Sequence, residues 1–275
     1  MEQVILAVGD MCGPARKNPG ADATAALARR IIKAHPEAMI LALGDNAYNR
    51  GRVDEYVEHY TPTWGQPDLL GRTWSCPGNH DYRTQAASPY FDYFGEGRAG
   101  TPQRSYFSLP LPEAEWHLVS LNSEIDQDAH SPQLKWLRQD LASRTFQPIL
   151  AMWHRPRWGS GGHRDSKKPR WFVNEMYTAR AELVLNGHAH HYERFAPQRP
   201  DQIPDPQGLR QFIVGTGGRK LTGRTKDTPN SDYARFDHYG ILKLTLRPAS
   251  YRWEFIDVTD RVLDTGEQPT NQRGT

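Results

Sequence analysis

Five short apolar runs constrain the fold of this chain most, because each is continuous rather than alternating and each ends at polar residues. They are VILAV (4–8), MILAL (39–43), WHLVSL (116–121), ILAMW (149–153) and ELVL (182–185). Continuous runs of this length are typical of strands buried on both faces of a sheet. Segments 21–35 and 131–142 have helical patterns, the second with Ser131 as N-cap and Pro132 in its first turn. Strands that alternate with helices predict an α/β sheet.

Three later runs lie too close together for helices to fit between them. They are RQFIVG (210–215), GILKLTL (240–246) and YRWEFIDV (251–258). We expect them to be antiparallel and to form a second sheet packed on the first. Since no linker divides the chain, we predict one domain over residues 1–263, followed by a loose polar tail over residues 264–275.

Charge and the N-terminal segment narrow the classes of function. The 275 residues include 34 basic and 32 acidic side chains, a net charge of +2, so the chain lacks the global field that gathers nucleic acid or anionic membrane. The start, MEQVILAVGDMCG, has neither the basic residues nor the long apolar core of a secretory signal. We therefore predict a cytoplasmic location and neither a nucleic-acid nor a membrane partner. The two cysteines, Cys12 and Cys76, are too few for a disulfide framework or a four-sulfur zinc site.

Polar side chains follow the apolar runs at the point where each predicted strand ends. They are Asp10, Asp45, Tyr48, Asn79, His154, His188 and His190. Taken singly, a Gly-Asp pair is most often a turn or a helix cap, and a lone histidine is most often a satisfied core residue. Ligands of open α/β sheets, however, bind at the carboxyl ends of the strands, where these side chains can converge.

As a set, these side chains supply two carboxylates, an amide oxygen, a phenol and three imidazoles. Oxygen ligands combined with imidazoles suit iron, manganese or zinc. Seven groups are too many for one tetrahedral ion and fit two ions that share a carboxylate. The sequence therefore predicts a dinuclear metal site.

The order of these motifs resembles a known family. The series G-D, G-D-x-x-Y, G-N-H-D, x-x-x-H and G-H-x-H is similar to that of the calcineurin-like metallophosphoesterase superfamily, and the tyrosine of GDNAY (44–48) resembles its purple acid phosphatase branch. Segments 90–95, 121–124, 186–197 and 214–218 are similar to compact bacterial members. The resemblance implies a four-layer α/β/β/α arrangement, a two-sheet β-sandwich core flanked by helices, with residues 1–263 as the catalytic domain.

The resemblance also implies a ligand set. One metal ion would be bound by Asp10, Tyr48 and His190, a second by Asn79, His154 and His188, with Asp45 bridging the two. Fe(III) would lie at the Tyr48 site, with Fe(II), Zn or Mn at the second. One departure concerns Cys12, which stands where purple acid phosphatases usually have glycine. The sequence leaves three roles open for it: packing as a small hydrophobe, ligation of the first metal, or a bridge to Cys76.

The activity implied by the resemblance is hydrolysis of a small organic phosphate monoester through attack by a metal-bound hydroxide. A phosphodiesterase acting on nucleotides or other diesters would use the same site, and a silent phosphate-binding module is a third possibility. His80 is expected to stabilise the transition state and protonate the departing oxygen, with Asp81 orienting it. His163 is expected to contact the phosphate.

Further side chains near these motifs are candidates for binding a small phosphorylated metabolite. Arg155, Arg157 and Arg164 flank the segment around His163 and could grip an anion through paired N–H donors. His191 and Tyr192 directly follow the last motif, and we expect them at the rim of the site.

Overall fold

Two β-sheets packed face to face form the centre of the molecule in a computed structural model of the chain, which describes residues 1–143, 147–163 and 166–271. The strands, in chain order, are β1 (Gln3–Val8), β2 (Met39–Ala42), β3 (Thr73–Ser75), β4 (Phe107–Leu111), β5 (Trp116–Ser120), β6 (Ile149–Met152), β7 (Leu183–Asn186), β8 (Tyr192–Phe195), β9 (Arg210–Val214), β10 (Ser231–Arg235), β11 (Gly240–Arg247), β12 (Ser250–Asp257) and β13 (Val262–Pro269).

Helices cover the outer face of each sheet. The α-helices are α1 (Ala21–Ala34), α2 (Val53–Glu55), α3 (Pro67–Leu70), α4 (Ser88–Phe94), α5 (Glu96–Ala99), α6 (Pro132–Ala142) and α7 (Arg170–Thr178). Helix α2 continues into a wider helical turn over Tyr56–Tyr60, and two short turns of 3₁₀-helix lie at Asp81–Arg83 and Gln85–Ala87. Among the described residues, no helix combines the length and the apolar character that crossing a bilayer requires.

The burial of β1 shows why its sequence is apolar at every position. Val4 and Leu6 pack with Leu27 and Ala28 of α1, whereas Ile5 and its neighbour Ala7 point into the space between the two sheets. A third apolar cluster joins the other sheet to α6 and α7. Both faces of each central strand are therefore buried, which is the physical reason for continuous apolar runs. The predicted four-layer α/β/β/α arrangement is confirmed.

The parallel strands bring their carboxyl ends together at the junction of the sheets. In the first sheet β1, β2 and β3 are parallel neighbours, and in the second β5, β6, β7 and β9 are. Backbone hydrogen bonds join the two sheets there, since Gly9 N donates to Val214 O at 2.9 Å and Gly217 N donates to Gly9 O at 2.9 Å. The loops that follow the strands are thus held in one place.

Both predicted long helices form close to the expected bounds. Helix α1 ends before Pro36, whose ring cannot continue a helix. Helix α6 begins after Ser131, whose side-chain oxygen accepts a hydrogen bond from Leu134 N at 3.2 Å. Leu134 and Leu137 then face the third apolar cluster.

The predicted grouping of the three late strands was wrong. Strand β9 lies in the second sheet and pairs in parallel with β7. Strands β11 and β12 are antiparallel to each other, as expected, but they extend the first sheet beside β1. A short connection determines the direction of the next strand, but it does not determine which sheet that strand joins. In addition, β10 lies between β9 and β11 in the chain.

The prediction of a loose tail after residue 263 was also wrong for most of its length. Val262–Pro269 forms β13, the edge strand that pairs with β12 over Ser250–Ile256. Asp264 explains this order, because its carboxylate accepts hydrogen bonds from Tyr192 Oη at 2.7 Å and from Arg194 Nε at 2.8 Å. A polar strand is therefore tied to the second sheet through one buried carboxylate.

Replacing Asp264 by alanine should lower the free energy of unfolding by about 1–3 kcal/mol, because the buried hydroxyl of Tyr192 would lose its acceptor. Urea unfolding of the wild type and the variant measures the difference. Asp237, which is exposed and paired with Arg235, provides the control, and Asp237→Ala should change stability by less than about 1 kcal/mol. Equal effects of the two substitutions would contradict the role of Asp264 in ordering β13.

Candidate metal centre and active site

Backbone conformation at the strand ends places the site. Asp10, Asp45 and His188 each have a positive φ, at 60°, 53° and 68°. This left-handed conformation is uncommon for residues other than glycine and clusters at functional sites, where the surrounding structure maintains it. A glycine directly precedes each of these residues at the end of a parallel strand. The chain therefore reverses at the sheet edge, and the polar side chain turns into the crevice.

Asp45 lies at the centre of the site, and its two carboxylate oxygens face different groups. Oδ2 accepts a hydrogen bond from Tyr48 Oη at 3.1 Å. Oδ1 lies 3.4 Å from His154 Nε2 and accepts a hydrogen bond from His80 N at 2.7 Å. One carboxylate therefore joins two sets of donor atoms.

The first set surrounds Asp10. Tyr48 Oη donates to Asp10 Oδ1 at 2.8 Å, and His190 Nε2 lies 3.5 Å from the same oxygen. The other oxygen of Asp10 accepts a hydrogen bond from His188 N at 2.7 Å. The structure thus brings together the three side chains that the sequence assigns to the first metal.

The second set surrounds His154. Its Nε2 lies 3.3 Å from Asn79 Oδ1 and 3.3 Å from His188 Nδ1, while its Nδ1 bonds to Leu43 O at 2.8 Å. A backbone oxygen on Nδ1 leaves Nε2 as the free ligand atom, the usual arrangement of a metal-binding histidine. Possible ligand atoms of Asp45, His154 and His188 lie within 4.8 Å of one another.

Electrostatics within the site depend on buried opposite charges. Burial raises the pKa of Asp45, but the charge and hydrogen bond of His154, and then those of His80, bring it well below its usual range. Burial lowers the pKa of His154, but the charge of Asp45 raises it to about 10. For His188, burial and the charge of His154 lower the pKa well below its usual value. His188 is therefore a neutral imidazole with a lone pair to offer.

The donor set fits cations. Asp10 and Asp45 have 0% and 1% of their surface exposed, and within the described residues neither forms a salt bridge with lysine or arginine. Burial and the charges of Asp10 and Asp45 raise the pKa of Tyr48 well above its usual value. Carboxylates buried in this way require a positive partner. A metal ion at this position would supply positive charge. It would then lower the pKa of the Tyr48 phenol instead of raising it.

His80 lies beside these groups. Its Nδ1 bonds to Asn49 O at 2.7 Å, and its Nε2 lies 3.8 Å from Asp45 Oδ2. The expectation that Asp81 orients His80 was wrong. Instead, the Asp81 carboxylate accepts from Gly78 N at 2.8 Å, Asp45 N at 3.0 Å and Tyr56 Oη at 2.8 Å. Asp81 therefore fixes the loops that carry Asn79 and Asp45.

A cavity of about 210 Å³ opens above the site. Its walls are polar, and the lining residues are Asp45, Asn79, His80, Arg83, Arg155, His163, His188 and His190. The exposed ring of His163 lies above two proposed ligands, with its centroid 5.4 Å from that of His188 and 4.9 Å from that of His190. Two arginines and four histidines thus surround a space of the size of a small anion.

Comparison with protein-family models identifies the family of this chain. The model for calcineurin-like phosphoesterases matches residues 4–192, well over half of the chain. The chain belongs to the calcineurin-like phosphoesterase family. It is 27% identical over 228 residues to a protein named probable purple acid phosphatase 20 from Arabidopsis thaliana, a match that covers 73% of this chain and 52% of the relative. This phosphoesterase therefore resembles the purple acid phosphatase branch, as predicted.

Two further similarities complete the comparison. A nucleotide pyrophosphatase/phosphodiesterase from Hordeum vulgare is 22% identical over 263 residues, which cover 82% of this chain and 70% of the relative. The structure of a purple acid phosphatase from yellow lupin seeds (Lupinus luteus) superimposes with a TM-score of 0.82 at 18% identity, covering 97% of this chain and 53% of that chain. The phosphoesterase spans a third to about half of the length of the first Arabidopsis thaliana relatives, 34% of one and 52% of another.

Five predicted substrate contacts of the phosphoesterase have different outcomes. Arg155 lines the cavity, whereas Arg157 is not among its lining residues, and Arg164 lies outside the described residues. His191 is not at the rim, because its buried Nε2 bonds to Glu193 at 2.9 Å and its ring stacks on Phe236. Tyr192 is not at the rim either. As part of β8 it points between the sheets, where its ring lies 3.9 Å from that of Phe255.

Both cysteines are free and buried. The Cys12 thiol lies 3.1 Å from Thr63 Oγ1, and burial raises its pKa to about 12. The thiol contacts Thr63 and the apolar cluster beside α1 rather than any member of the two ligand sets. Cys12 therefore packs as a small hydrophobe in the apolar cluster between the first sheet and α1.

Three functional neighbours were missed from the sequence. Arg83 lines the cavity, Glu124 pairs with Arg155, and Arg219 stacks over the Tyr48 ring at 4.4 Å. Arg83 lies three residues after His80 in a short helical turn, which is the spacing that returns a side chain to the same side. Glu124 ends the segment 121–124 and Arg219 directly follows the segment 214–218, both of which resemble the family, but neither segment indicates which metal ligand or arginine its side chain contacts.

Gly78→Ala should lower the metal content of the site, because the added methyl group forces the segment that carries Asp45 to shift. A Cβ atom there would overlap both Asp45 Oδ1 and Asp45 N, so the Asp45 carboxylate would have to move. Metal content after loading, measured per chain, should fall clearly below that of the wild type. Gly97→Ala is the matched control, because an added Cβ there meets nothing within 4 Å. Full metal content in the Gly78 variant would contradict the placement of Asp45.

Proposed function

We propose that this phosphoesterase is a dinuclear-metal phosphatase that hydrolyses small organic phosphate monoesters. The observation that carries the proposal is Asp45, whose two oxygens face separate groups of buried oxygen and nitrogen ligands. A shared carboxylate between two ligand sets is the arrangement that a two-metal site requires.

The residues of each set would hold one ion. Asp10, Tyr48 and His190 form the first set, Asn79, His154 and His188 form the second, and Asp45 belongs to both. Two cations held by these residues would neutralise phosphate oxygens and would lower the pKa of water to near neutrality. We further propose Fe(III) for the first set, because a phenolate oxygen suits a small, highly charged ion, and Fe(II), Zn or Mn for the second.

Hydrolysis would add water across the ester bond. A new bond forms between the water oxygen and phosphorus, the bond from phosphorus to the ester oxygen breaks, and the departing oxygen needs a proton. His80 supports this role in its doubly protonated form, because Asn49 O accepts from its Nδ1 and its Nε2, which then also carries a proton, faces the cavity. His163 and Arg155 line the same cavity and offer N–H donors to the phosphate.

The dimensions of the cavity support a small substrate. About 210 Å³ accommodates a phosphate group and a few further atoms, less than the usual pocket for a drug-sized ligand. Its walls provide charged and polar groups rather than an apolar surface. A small metabolite whose phosphate group enters the cavity agrees with both observations.

Diesters are the alternative substrate class. The similarity to the Hordeum vulgare nucleotide pyrophosphatase/phosphodiesterase over 82% of the chain supports this alternative. Assays with 4-nitrophenyl phosphate and bis(4-nitrophenyl) phosphate, on metal-loaded protein, separate the two classes. A monoesterase should have the higher kcat/KM for the monoester, and the reverse order would favour the diesterase.

Substituting His80 by alanine should lower kcat by roughly 10²- to 10⁴-fold, because the departing oxygen would lose its proton donor. Metal content should stay at the wild-type value, since His80 is outside both ligand sets. Steady-state kinetics together with metal analysis provide the two readouts. The surface residue His130 serves as the control, and His130→Ala should keep full activity. A nearly unchanged kcat in the His80 variant would exclude it as the acid.

Tyr48→Phe tests the first ligand set through a spectrum. If Tyr48 is a phenolate ligand of Fe(III), the iron-loaded protein absorbs visible light, and the variant should lose that band. The ring itself is retained, so its packing against His80 and Arg219 remains and circular dichroism should not change. Tyr60→Phe is the control, because Tyr60 is a fully buried tyrosine outside both ligand sets whose hydroxyl has no hydrogen-bond partner within the described chain. An unaltered band in the Tyr48 variant would rule out phenolate ligation.

A further inference from the structure

We propose that Arg155, held in place by Glu124, is the residue by which this site selects phosphate monoesters over diesters. The inference rests on the proposed function and assigns its substrate preference to one side chain. Arg155 directly follows the proposed ligand His154, at the point where β6 has ended and the chain enters the cavity wall. Glu124 has no part in the ligand sets or in the proposed proton transfer.

Glu124 binds one edge of the guanidinium. Arg155 Nε donates to Glu124 Oε1 at 2.8 Å, and Arg155 Nη2 donates to Oε2 at 3.0 Å. The Glu124 side chain is 6% exposed and that of Arg155 22%, so solvent screens the pair only weakly. A bidentate pair of this kind fixes the plane of the guanidinium as well as its position.

Glu124 is itself held by a polar network that reaches across the site. Its backbone N–H donates to Asn122 Oδ1 at 2.8 Å, and Ser123 Oγ donates to its Oε1 at 2.9 Å. Asn122 Nδ2 in turn donates to Tyr82 Oη at 2.8 Å, two residues beyond His80. These hydrogen bonds therefore position the arginine relative to the segment that carries His80.

The remaining nitrogen, Nη1, points towards the metal ligands. Within the described chain, Nη1 lies 3.1 Å from His188 Nε2. A metal-binding histidine usually donates its second N–H to an oxygen acceptor, but arginine has only donors. Because His188 Nδ1 faces His154 Nε2 and the second ligand set, its proton belongs on Nε2 when Nδ1 ligates. Arg155 Nη1 then needs a different acceptor.

An anionic oxygen of the substrate is the acceptor that the cavity can supply. A phosphate monoester has three terminal oxygens and two negative charges near neutral pH, whereas a diester has two terminal oxygens and one charge. A donor placed beside the metal ligands therefore finds a free charged oxygen on a monoester more readily than on a diester. A hydrogen bond to a charged group stabilises strongly, and leaving the donor without a partner is costly.

The first experiment compares ester preference in metal-loaded variants. Arg155→Met keeps the unbranched stem of the side chain but removes the guanidinium and its donors, and it should lower kcat/KM for 4-nitrophenyl phosphate by roughly 10- to 100-fold. The value for bis(4-nitrophenyl) phosphate should change less than about 3-fold, so the preference collapses. Arg157→Met is the matched control, because Arg157 lies two residues away and does not line the cavity. Equal losses on both esters would overturn the proposal.

The second experiment tests Glu124 as a positioning residue. Glu124→Ala should lower monoester kcat/KM in the same direction, and the double variant should be no worse than Arg155→Met, since both substitutions remove one interaction. A purely structural role predicts additive losses and a lower unfolding temperature, with no change in ester preference. Additive effects would therefore contradict the proposed coupling. Arg155→Lys should restore little, because lysine cannot pair with Glu124 and present a further nitrogen at once.

A binding measurement separates this inference from the proposed function. Calorimetric titration of the metal-loaded protein with inorganic phosphate should give a Kd roughly 10-fold or more higher for Arg155→Met than for the wild type, at equal metal content. If the wild type hydrolyses neither ester, the proposed function fails, but weaker phosphate binding by the variant would still support the role of Arg155. Equal phosphate affinities would overturn it.

Discussion

Burial of two carboxylates beside a phenol is the constraint on which the site depends. Asp10 and Asp45 lie at the junction of the two sheets with almost no exposed surface, and Tyr48 donates to both. Such a group is stable only when hydrogen-bond donors and positive charge surround it. Backbone N–H groups and histidines supply part of this stabilisation, and bound cations would supply the rest. Ligand geometry and fold stability are therefore coupled in this phosphoesterase.

The fold meets that constraint through the ends of its parallel strands. Backbone hydrogen bonds join β1 to β9 across the two sheets, so the loops that carry the ligands cannot separate without breaking both. Glycines at the turns leave room for the carboxylates, and Gly78 lies so close to Asp45 that a single methyl group would displace it. Asp81 connects the loops that carry Asn79 and Asp45 through three further hydrogen bonds. The site is thus built on rigid elements, which is what precise placement of ligands requires.

Around the ligands, the positions of other polar side chains divide into two kinds. His80, His163 and Arg155 line the cavity and can touch a substrate. Asp81 and Glu124 lie behind them and act through other residues. The family and the fold establish the phosphoesterase framework, but folds host many functions. The cavity wall, and in particular the arginine fixed by a buried glutamate, is therefore where the substrate preference of this member should be decided.

The sequence by itself determined the buried strands and the polar residues at their carboxyl ends, because both leave local patterns. A strand buried on two faces is apolar throughout, and the residue at its carboxyl end must lie at the sheet edge, so Asp10, Asp45 and His154 could be placed before any coordinates. Only the tertiary structure decided which sheet takes β9, why β13 is ordered, and that Asp81 serves the loops rather than His80. Those outcomes depend on contacts between residues distant in the chain, such as Asp264 with Tyr192 and Glu124 with Arg155. Each such contact depends on two distant segments together, and the sequence of one segment does not predict which other segment it contacts.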